Sequence, residues 1–367
     1  MSYSENFAAN IKAQRQKRKM TQKDFAELLG YSEKAVSKWE CGAGMPPIET
    51  LFDIARTFDM SVEGLFSAEE RYYLAIDGGG TKTALLLADR DGRVIRSHTT
   101  TACNPVDLGF DAACEVLSAA IKEISGDIPR SEITLFAGIA GGTSAGMQEY
   151  LHSFFDAQGF AAFENDSDNK NIIAAGLGDL DGISLILGTG ICAYVKRDGV
   201  YSRVAGWGYL IDKGGSGYNL GQDALNAYFS AHDGSGEPTL ISEEVDALYE
   251  GGIDAIMSYI YADKKKAVAS FAPAVYKALE RGDGTARRIL ERNMRVAAEI
   301  VAAARRSFPN GAVVPLVISG GLTERAETLD YFRAALENPS EFDIKLLDRA
   351  PVYGALELAM KIKESEK

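Results

Sequence analysis

The sequence predicts a small all-α module followed by a larger α/β body made of two similar lobes. Three observations carry this. Apolar residues recur at helical spacing through the first 66 residues, and the period changes to that of a strand at Tyr72. A strand, glycine turn, strand, R-D-G, strand pattern then occurs twice, about a hundred residues apart.

Composition supports a globular reading. Of 367 residues, 46% are hydrophobic and 25% charged, enough for two or three domains with their own cores. The net charge of −13 makes the chain a poor general binder of nucleic acid, so any DNA contact needs a local basic patch. The four cysteines (Cys41, Cys103, Cys114, Cys192) show no C-x-x-C spacing, and there are only three histidines. A disulfide scaffold, a structural zinc site and an iron–sulfur cluster are therefore disfavoured. No run approaches the roughly 18 apolar residues of a membrane helix, and the polar N-terminus lacks a signal-peptide core. The expectation is a soluble, cytoplasmic protein with no membrane partner.

In the N-terminal module, apolar pairs recur at Phe7 and Ile11, at Phe25 and Leu28–Leu29, at Val36 and Trp39, and from Leu51 to Phe58. Thr21 and Ser32 stand as N-caps before QKDFAELL and EKAVSKW, and Gly30 falls where a C-terminal cap belongs. Two short helices joined by GYS have helix-turn-helix spacing. Six of the first 23 residues are basic, against one acid, Glu5. A helical oligomerisation module with a solvated basic end is the plain alternative. TQKDFAELLGYSEKAVSKWECGAGMPPIETLFDIARTFDMSVEGLF resembles a phage-repressor-type (Xre/Cro-like) helix-turn-helix domain along its length. The resemblance implies a recognition helix over 32–40, with Glu33, Lys34, Ser37 and Lys38 facing double-stranded DNA. It also implies Gln22 and the basic run Arg15–Lys19 on phosphates, and binding as a homodimer to a palindromic operator. The module is placed at 1–68, and Ser67 to Arg71 is a short polar link.

The body opens with YYLAID-GGGTKT-ALLLAD-RDG-RVIRS, and the plan returns as ISLIL-GTG-ICAYVK-RDG-VYSRVAG. The first lobe is placed at 72–180, completed by a C-terminal helix over 351–365, and the second at 181–350. Glycines at 78–80, 188 and 190 let backbone N–H groups approach an anion. Thr81, Thr83 and Thr189 add hydroxyl donors and Lys82 a positive charge, a set suited to phosphate. Asp77 would repel phosphate unless a cation lay between them, which points to Mg²⁺. The turn leads into a strand rather than a helix, so neither a P-loop nor a Rossmann site fits. A single such turn reads as a plain hairpin; the repeat argues for more. VVPLVISGGLTER is a buried strand running into a turn where Gly320 and Gly321 give an adenine room to lie against backbone. FENDSDNKNIIAAG reads as a polar turn opening a helix, with Asp166 and Asp168 each a candidate general base or only a cap. Trp207, between glycines and apolar residues, reads as core, with stacking on a substrate the alternative.

The ordered set D-G-G-G-T-K-T, S-D, G-T-G, G-W-G-Y-L, S-G-G resembles the sugar-kinase/actin/heat-shock-chaperone superfamily. It is most similar to the BadF/BcrA-type ATPase family that includes N-acetylglucosamine kinase. The resemblance implies a two-lobed ribonuclease-H-like (actin-like ATPase) fold using ATP with Mg²⁺. It makes Asp77–Thr83 and Gly188–Gly190 the phosphate loops and Ser319–Gly321 the adenosine loop. It favours Asp168, about twenty residues before the second loop, as the catalytic carboxylate, and sets Asn104, Gly141, Gly142 and Thr143 on the sugar. Two positions depart from the family pattern: Ile191 replaces a serine after G-T-G, and the acid after GWGYL falls at Asp212. Cluster-bearing members of the family do not match the cysteines here. The expected function is an ATP-dependent amino-sugar kinase joined to a DNA-binding domain, as a sugar-responsive regulator. The alternative is a transcription factor whose kinase-like body senses a sugar or nucleotide without turnover.

Overall fold

The computed structural model describes residues 3–66, 71–144, 146–249 and 251–363. They form two compact units, a helical N-terminal one and a body that holds both β-sheets. Among the described residues, no helix is long and apolar enough to cross a membrane.

The first unit comprises α1 (Tyr3–Lys17), α2 (Gln22–Leu29), α3 (Glu33–Glu40), α4 (Ile48–Phe58) and α5 (Val62–Phe66). The caps fall where the sequence puts them. Thr21 Oγ1 accepts from the Asp24 N–H while the Asp24 carboxylate accepts from the Thr21 N–H, a reciprocal pair. Gly30 ends α2 at φ 73°, a left-handed conformation that costs glycine little. Phe25 stacks on Phe58 at 4.8 Å in a core that also buries Phe7, Ile11, Val36 and Ile54. Arg15 is part of this core architecture: its Nε and Nη2 donate to the two Glu40 oxygens at 2.6 and 2.9 Å, tying α1 to α3.

The body repeats one topology twice. The first sheet has the order β3-β2-β1-β4-β5, from β1 (Tyr72–Gly78), β2 (Lys82–Ala88), β3 (Val94–Thr101), β4 (Ile133–Ile139) and β5 (Ala162–Asp166). The second has the order β10-β9-β6-β7-β8, from β6 (Gly182–Leu187), β7 (Ile191–Arg197), β8 (Val200–Ala205), β9 (Val314–Ser319) and β10 (Phe342–Leu346). In each, three strands linked by tight turns are followed by a fourth beside the first and a fifth beyond it. The fourth and fifth strands pair in parallel in both halves. Every residue of β4 is buried, as a central strand covered on two faces requires.

Helices α6 (Pro105–Leu108), α7 (Phe110–Ser125) and α8 (Met147–Asp156) belong to the first half, where α7 lies against β3. Between the sheets runs α9 (Asp168–Leu177), which touches β4 of one and β6 and β9 of the other. The second half adds α10 (Gly217–His232), α11 (Ile241–Leu248), α12 (Gly252–Ala269), α13 (Ala272–Glu280), α14 (Gly284–Arg305) and α15 (Ala326–Ala335). Helix α14 covers the second sheet, with Leu290, Met294 and Val301 packed among Leu185, Ile191 and Ile318. The last helix, α16 (Pro351–Ala359), packs on α9 and β4. A Cβ at Gly354 would lie 2.0 Å from the Asn171 carbonyl oxygen, so the backbones of α9 and α16 meet there.

Two readings need correction. Residues 162–166 are not a turn but a strand, because pairing in parallel with β4 supplies hydrogen bonds that local alternation does not advertise. The C-terminal helix ends at Ala359 rather than 365, and residues 364–367, like most of the link at 67–70, lie outside the described residues.

Candidate active site and DNA interface

The first hairpin is closed by a bond from the Gly79 N–H to the Lys82 carbonyl, 2.9 Å. Gly78 is a packing requirement, since a Cβ there would sit 2.5 Å from Cys103 Sγ. Gly80 is more open, with Asp107 Oδ2 its nearest neighbour at 3.7 Å. Thr81 and Lys82 are exposed. Thr83 is not available to a phosphate: it is fully buried and its hydroxyl donates to the Thr101 carbonyl at 2.7 Å. The alternation of β2 turns it inward, away from Lys82.

The second hairpin is held from behind. The carbonyls of Gly188 and Thr189 accept from the first N–H groups of α10, Gly217 and Tyr218, at 2.8 and 3.0 Å. Thr189 is exposed, and Gly190 has nothing within 4 Å of a would-be Cβ. Gly320, at φ 104°, lies against this hairpin, where a Cβ would come within 2.5 Å of the Leu187 carbonyl oxygen. Gly321 is open, and the neighbouring Ser319 Oγ is buried without a partner among the described residues. The second phosphate loop and the adenosine loop named from the sequence are thus neighbours.

Helix α9 brings the carboxylates together. Ser167 caps it, accepting from the Asn169 N–H, and donates its hydroxyl to Asp168 Oδ1 at 3.1 Å. Asn171, one turn on, donates through Nδ2 to Asp77 Oδ1 at 2.7 Å and to the Gly138 carbonyl at 3.2 Å. Burial pushes the Asp77 carboxyl up to about 6, the Asn171 bond opposing and the Asp168 charge adding to the rise. Burial also holds Asp168 above the usual carboxylate range, against the Ser167 and Asn169 bonds and the Arg203 charge. Asp166 differs, because it is ion-paired with Lys170 at 2.6 Å. The two acids thus differ in environment: Asp168 is close enough for its charge to act on Asp77, whereas Asp166 is paired with Lys170.

Asn104 and Gly141 meet, a Cβ on Gly141 (φ 74°) falling 2.4 Å from Asn104 Oδ1. Asn104 is buried and already committed: Oδ1 caps α6 by accepting from the Val106 N–H, and Nδ2 donates to Asp107. Gly142 is buried against the Ile139 carbonyl, and Thr143 Oγ1 accepts from Arg203 Nη2 at 3.4 Å. A cleft of about 580 Å³ opens beside these residues, lined by Thr143, Asp166, Lys170, Tyr194, Arg203 and Trp207 among others. Trp207 is therefore not core; it is 62% exposed, and its loop is held by Asp212, which accepts from the Trp207 and Gly208 N–H groups at 3.0 and 3.1 Å. Sequence reasoning missed Asn171 and Arg203. The signal for Asn171 was an amide on the apolar face of N-I-I-A-A; Arg203, on an exposed-looking strand, gave none.

A magnesium ion takes oxygen ligands. Among the described residues no group of three or more His, Cys, Asp or Glu side chains could hold a metal. The half-buried Asp77 carboxylate with one donor on it fits an ion whose other ligands are phosphate oxygens and water.

In the N-terminal unit, Glu33, Lys34, Ser37 and Lys38 are all exposed on α3, while Val36, Trp39 and Glu40 turn inward. Gln22 donates to Glu40 Oε2 at 2.9 Å, so it is positioned by the same acid that holds Arg15. Arg15 itself is not a phosphate contact: it is buried in that pair. Arg18 is likewise engaged, donating to the Phe58 carbonyl at 2.7 Å with its guanidinium over the Phe58 ring.

Comparison with known proteins agrees with this layout. Residues 11–65 match the helix-turn-helix family, and residues 74–359 match the BadF/BadG/BcrA/BcrD ATPase family. The chain is 29% identical over 303 residues to the N-acetylmuramic acid/N-acetylglucosamine kinase of Clostridium acetobutylicum, covering 79% of this chain and 98% of that protein. Over 69 residues it is 38% identical to the HTH-type transcriptional activator BcrR of Enterococcus faecalis, covering 19% of this chain and 34% of that one. The fold is shared with a solved protein from Chromobacterium violaceum, named as a candidate N-acetylglucosamine kinase, at TM-score 0.67 and 24% identity over 79% of this chain and 99% of that one. The duplicated sheets, the paired glycine hairpins and a match running through nearly the whole body lead to one assignment: the chain belongs to the BadF/BadG/BcrA/BcrD ATPase family, an ATP-using body with a helix-turn-helix domain ahead of it.

Proposed function

We propose that the body transfers the γ-phosphoryl group of ATP to a hydroxyl of an amino sugar of the N-acetylglucosamine type. The N-terminal unit, as a homodimer, binds a DNA operator through α3, so that one chain links the sugar to transcription. The observation that carries the first part is the placement of α9. It lies against both sheets and sets Asp168 beside Asp77, each carboxyl shifted upward by burial. The name of the Clostridium relative supports the amino-sugar class.

In this reading the hairpin tips, Gly79 to Lys82 and Gly188 to Gly190, hold the β- and γ-phosphates, and Gly320 with Gly321 receives the adenine. Asp77 holds Mg²⁺, which neutralises phosphate charge when bound. The Gly141–Thr143 loop receives the sugar, with Asn104 held beside Gly141 by its Val106 and Asp107 bonds. Asp168 accepts the proton of the attacking sugar hydroxyl, and the hydroxyl oxygen bonds to the γ-phosphorus as the bond to the β,γ-bridging oxygen breaks and ADP leaves. A carboxyl held above its usual range is the better acceptor for that proton. Lys34 and Lys38 meet phosphates or base edges, Ser37 and Glu33 sit between them, and Gln22 steadies the approach.

An ADP-release assay over N-acetylglucosamine, glucosamine and glucose tests the chemistry. One amino sugar is expected to give turnover, and Asp168→Asn to lower kcat by about 10²–10⁴ with nucleotide affinity retained. Asp166→Asn, which frees Lys170, should cost less than about tenfold. The reverse order would move the proton acceptor to Asp166. Sugar binding without ADP release would leave a sensor in place of a kinase.

A further inference from the structure

We propose that Lys265, on α12, is a further phosphate-binding residue: a cation of the second half that leaves Asp107 for the β,γ-phosphate end of a bound nucleotide. The inference rests on the nucleotide part of the reading above and adds a residue that lies in neither glycine turn.

Lys265 stands between the surroundings of the two hairpins. Its Nζ lies 3.7 Å from Asp107 Oδ2, on α6 of the first half. That same oxygen is the nearest neighbour of the open side of Gly80, 3.7 Å from where a Cβ would be. On its other side the ammonium is 5.8 Å from the centre of the Tyr209 ring. Tyr209 meets Tyr218 edge to face at 4.8 Å, and the Tyr218 N–H donates to the Thr189 carbonyl of the second hairpin.

The backbone sets this one lysine apart. Of the run Lys264 to Lys266, Lys265 is half-buried and its two neighbours are exposed. Helix α12 kinks immediately before it: Asp263 and Lys264 leave helical geometry, and Lys264 has φ 23°, which a residue with a Cβ seldom adopts. Such conformations persist only where the surroundings hold them, and they gather at active sites and ligand clamps.

The charges favour the exchange. Asp107 faces the hairpin that is to hold a phosphate, and in the empty cleft Lys265 neutralises it. A triphosphate brings several negative charges to the same place and outweighs one carboxylate for a cation on a flexible stem. Both side chains of the pair are half-buried and their separation is long for an ion pair, so they part readily. Asp107 keeps a donor afterwards, Asn104 Nδ2 at 2.8 Å. The cations on the sugar side are engaged already: Lys170 with Asp166, and Arg203 with Tyr194 and Thr143, its charge acting on Asp168.

Calorimetric binding to the full chain, without sugar, tests this with Mg²⁺-AMPPNP (a non-hydrolysable ATP analogue), Mg²⁺-ADP and AMP. Lys265→Met is expected to weaken AMPPNP about tenfold or more, ADP less and AMP hardly at all, with Lys265→Arg in between. Lys266→Met, which removes the same charge from an exposed neighbour, should change affinity by less than about twofold. Asp107→Asn should tighten AMPPNP by about two- to fivefold, its amide oxygen still accepting from Asn104. The deciding comparison is Lys265→Met in the Asp107→Asn chain. A loss that persists there shows Lys265 meeting the phosphates. No loss there shows that Lys265 only neutralises Asp107, and overturns the inference. An equal loss for AMP overturns it too, because the effect then lies in the fold. A persisting loss with no ADP release from any sugar leaves the inference and removes the kinase; ADP release with no persisting loss does the reverse.

Discussion

Asp77 carries an energetic cost that the fold accepts for the sake of its site. Its carboxyl titrates at about 6, against an ordinary value of 3.8, because burial disfavours its charged form. The folded chain therefore holds this proton more tightly than the unfolded chain does. The penalty is absent below the unfolded value, builds as pH rises toward 6, and is complete above it. Asp77→Asn should accordingly stabilise the body by about 2–3 kcal/mol at pH 7.5. The amide oxygen still accepts the Asn171 bond, so little else changes. Urea unfolding at pH 7.5 and at pH 4 checks this: the gain should nearly vanish at the lower pH, and an equal gain at both would show that burial of the charge is not its cause. The same variant should lose Mg²⁺-dependent nucleotide binding, so stability and function move in opposite directions at one residue.

Helix α9 connects the site to the rest of the body. Its N-terminus carries Asp168, Asn171 on the next turn grips Asp77, and beyond that its backbone meets α16 at Gly354. Gly354→Ala would press a methyl group against the Asn171 carbonyl, and backbone has no rotamer to yield. The two helices must part, at a cost of about 2–3 kcal/mol, and Asn171 moves with them. The expected result is weaker nucleotide binding from a residue outside the cleft, measured by calorimetry beside the unfolding midpoint. Loss of stability with unchanged nucleotide affinity would mean that α9 bends locally instead. Elements such as the two hairpins were legible because period-two alternation and glycine turns are local signals. The caps at Thr21, Ser32 and Gly30 were legible for the same reason. What stayed hidden depends on distant partners: β5 needs β4 beside it, Thr83 is drawn inward by Thr101, Arg15 by Glu40, and Trp207 is turned outward by Asp212. Asp168 is favoured over Asp166 only through the family resemblance, since local sequence reads either as a base or a cap; that Asp166 is paired with Lys170 is a contact the sequence does not announce.

At the scale of the whole molecule, the proposed grip on one nucleotide from two sides rests on duplication. Strand order recurs in both sheets, so the turn between the first two strands of each half occupies an equivalent place. The N-terminal unit has a core of its own, with Phe25 on Phe58 and the buried Arg15–Glu40 pair. Two cores predict two unfolding events. Scanning calorimetry of the full chain should therefore resolve a transition that moves up with Mg·ATP analogue and sugar, and another that does not. At a hundredfold excess over Kd each ligand contributes about 2.7 kcal/mol to the unit that binds it. Glu40→Ala removes one partner of a buried pair and leaves Arg15 uncompensated, so it should lower only the second transition, by about 3–5 kcal/mol in stability. Operator DNA should raise that same transition in the wild-type chain. A single transition that nucleotide and Glu40→Ala both displace would mean the units unfold as one cooperative block. Occupancy of the sugar cleft would then have a direct thermodynamic route to the DNA-reading helix, which two separate transitions would deny it.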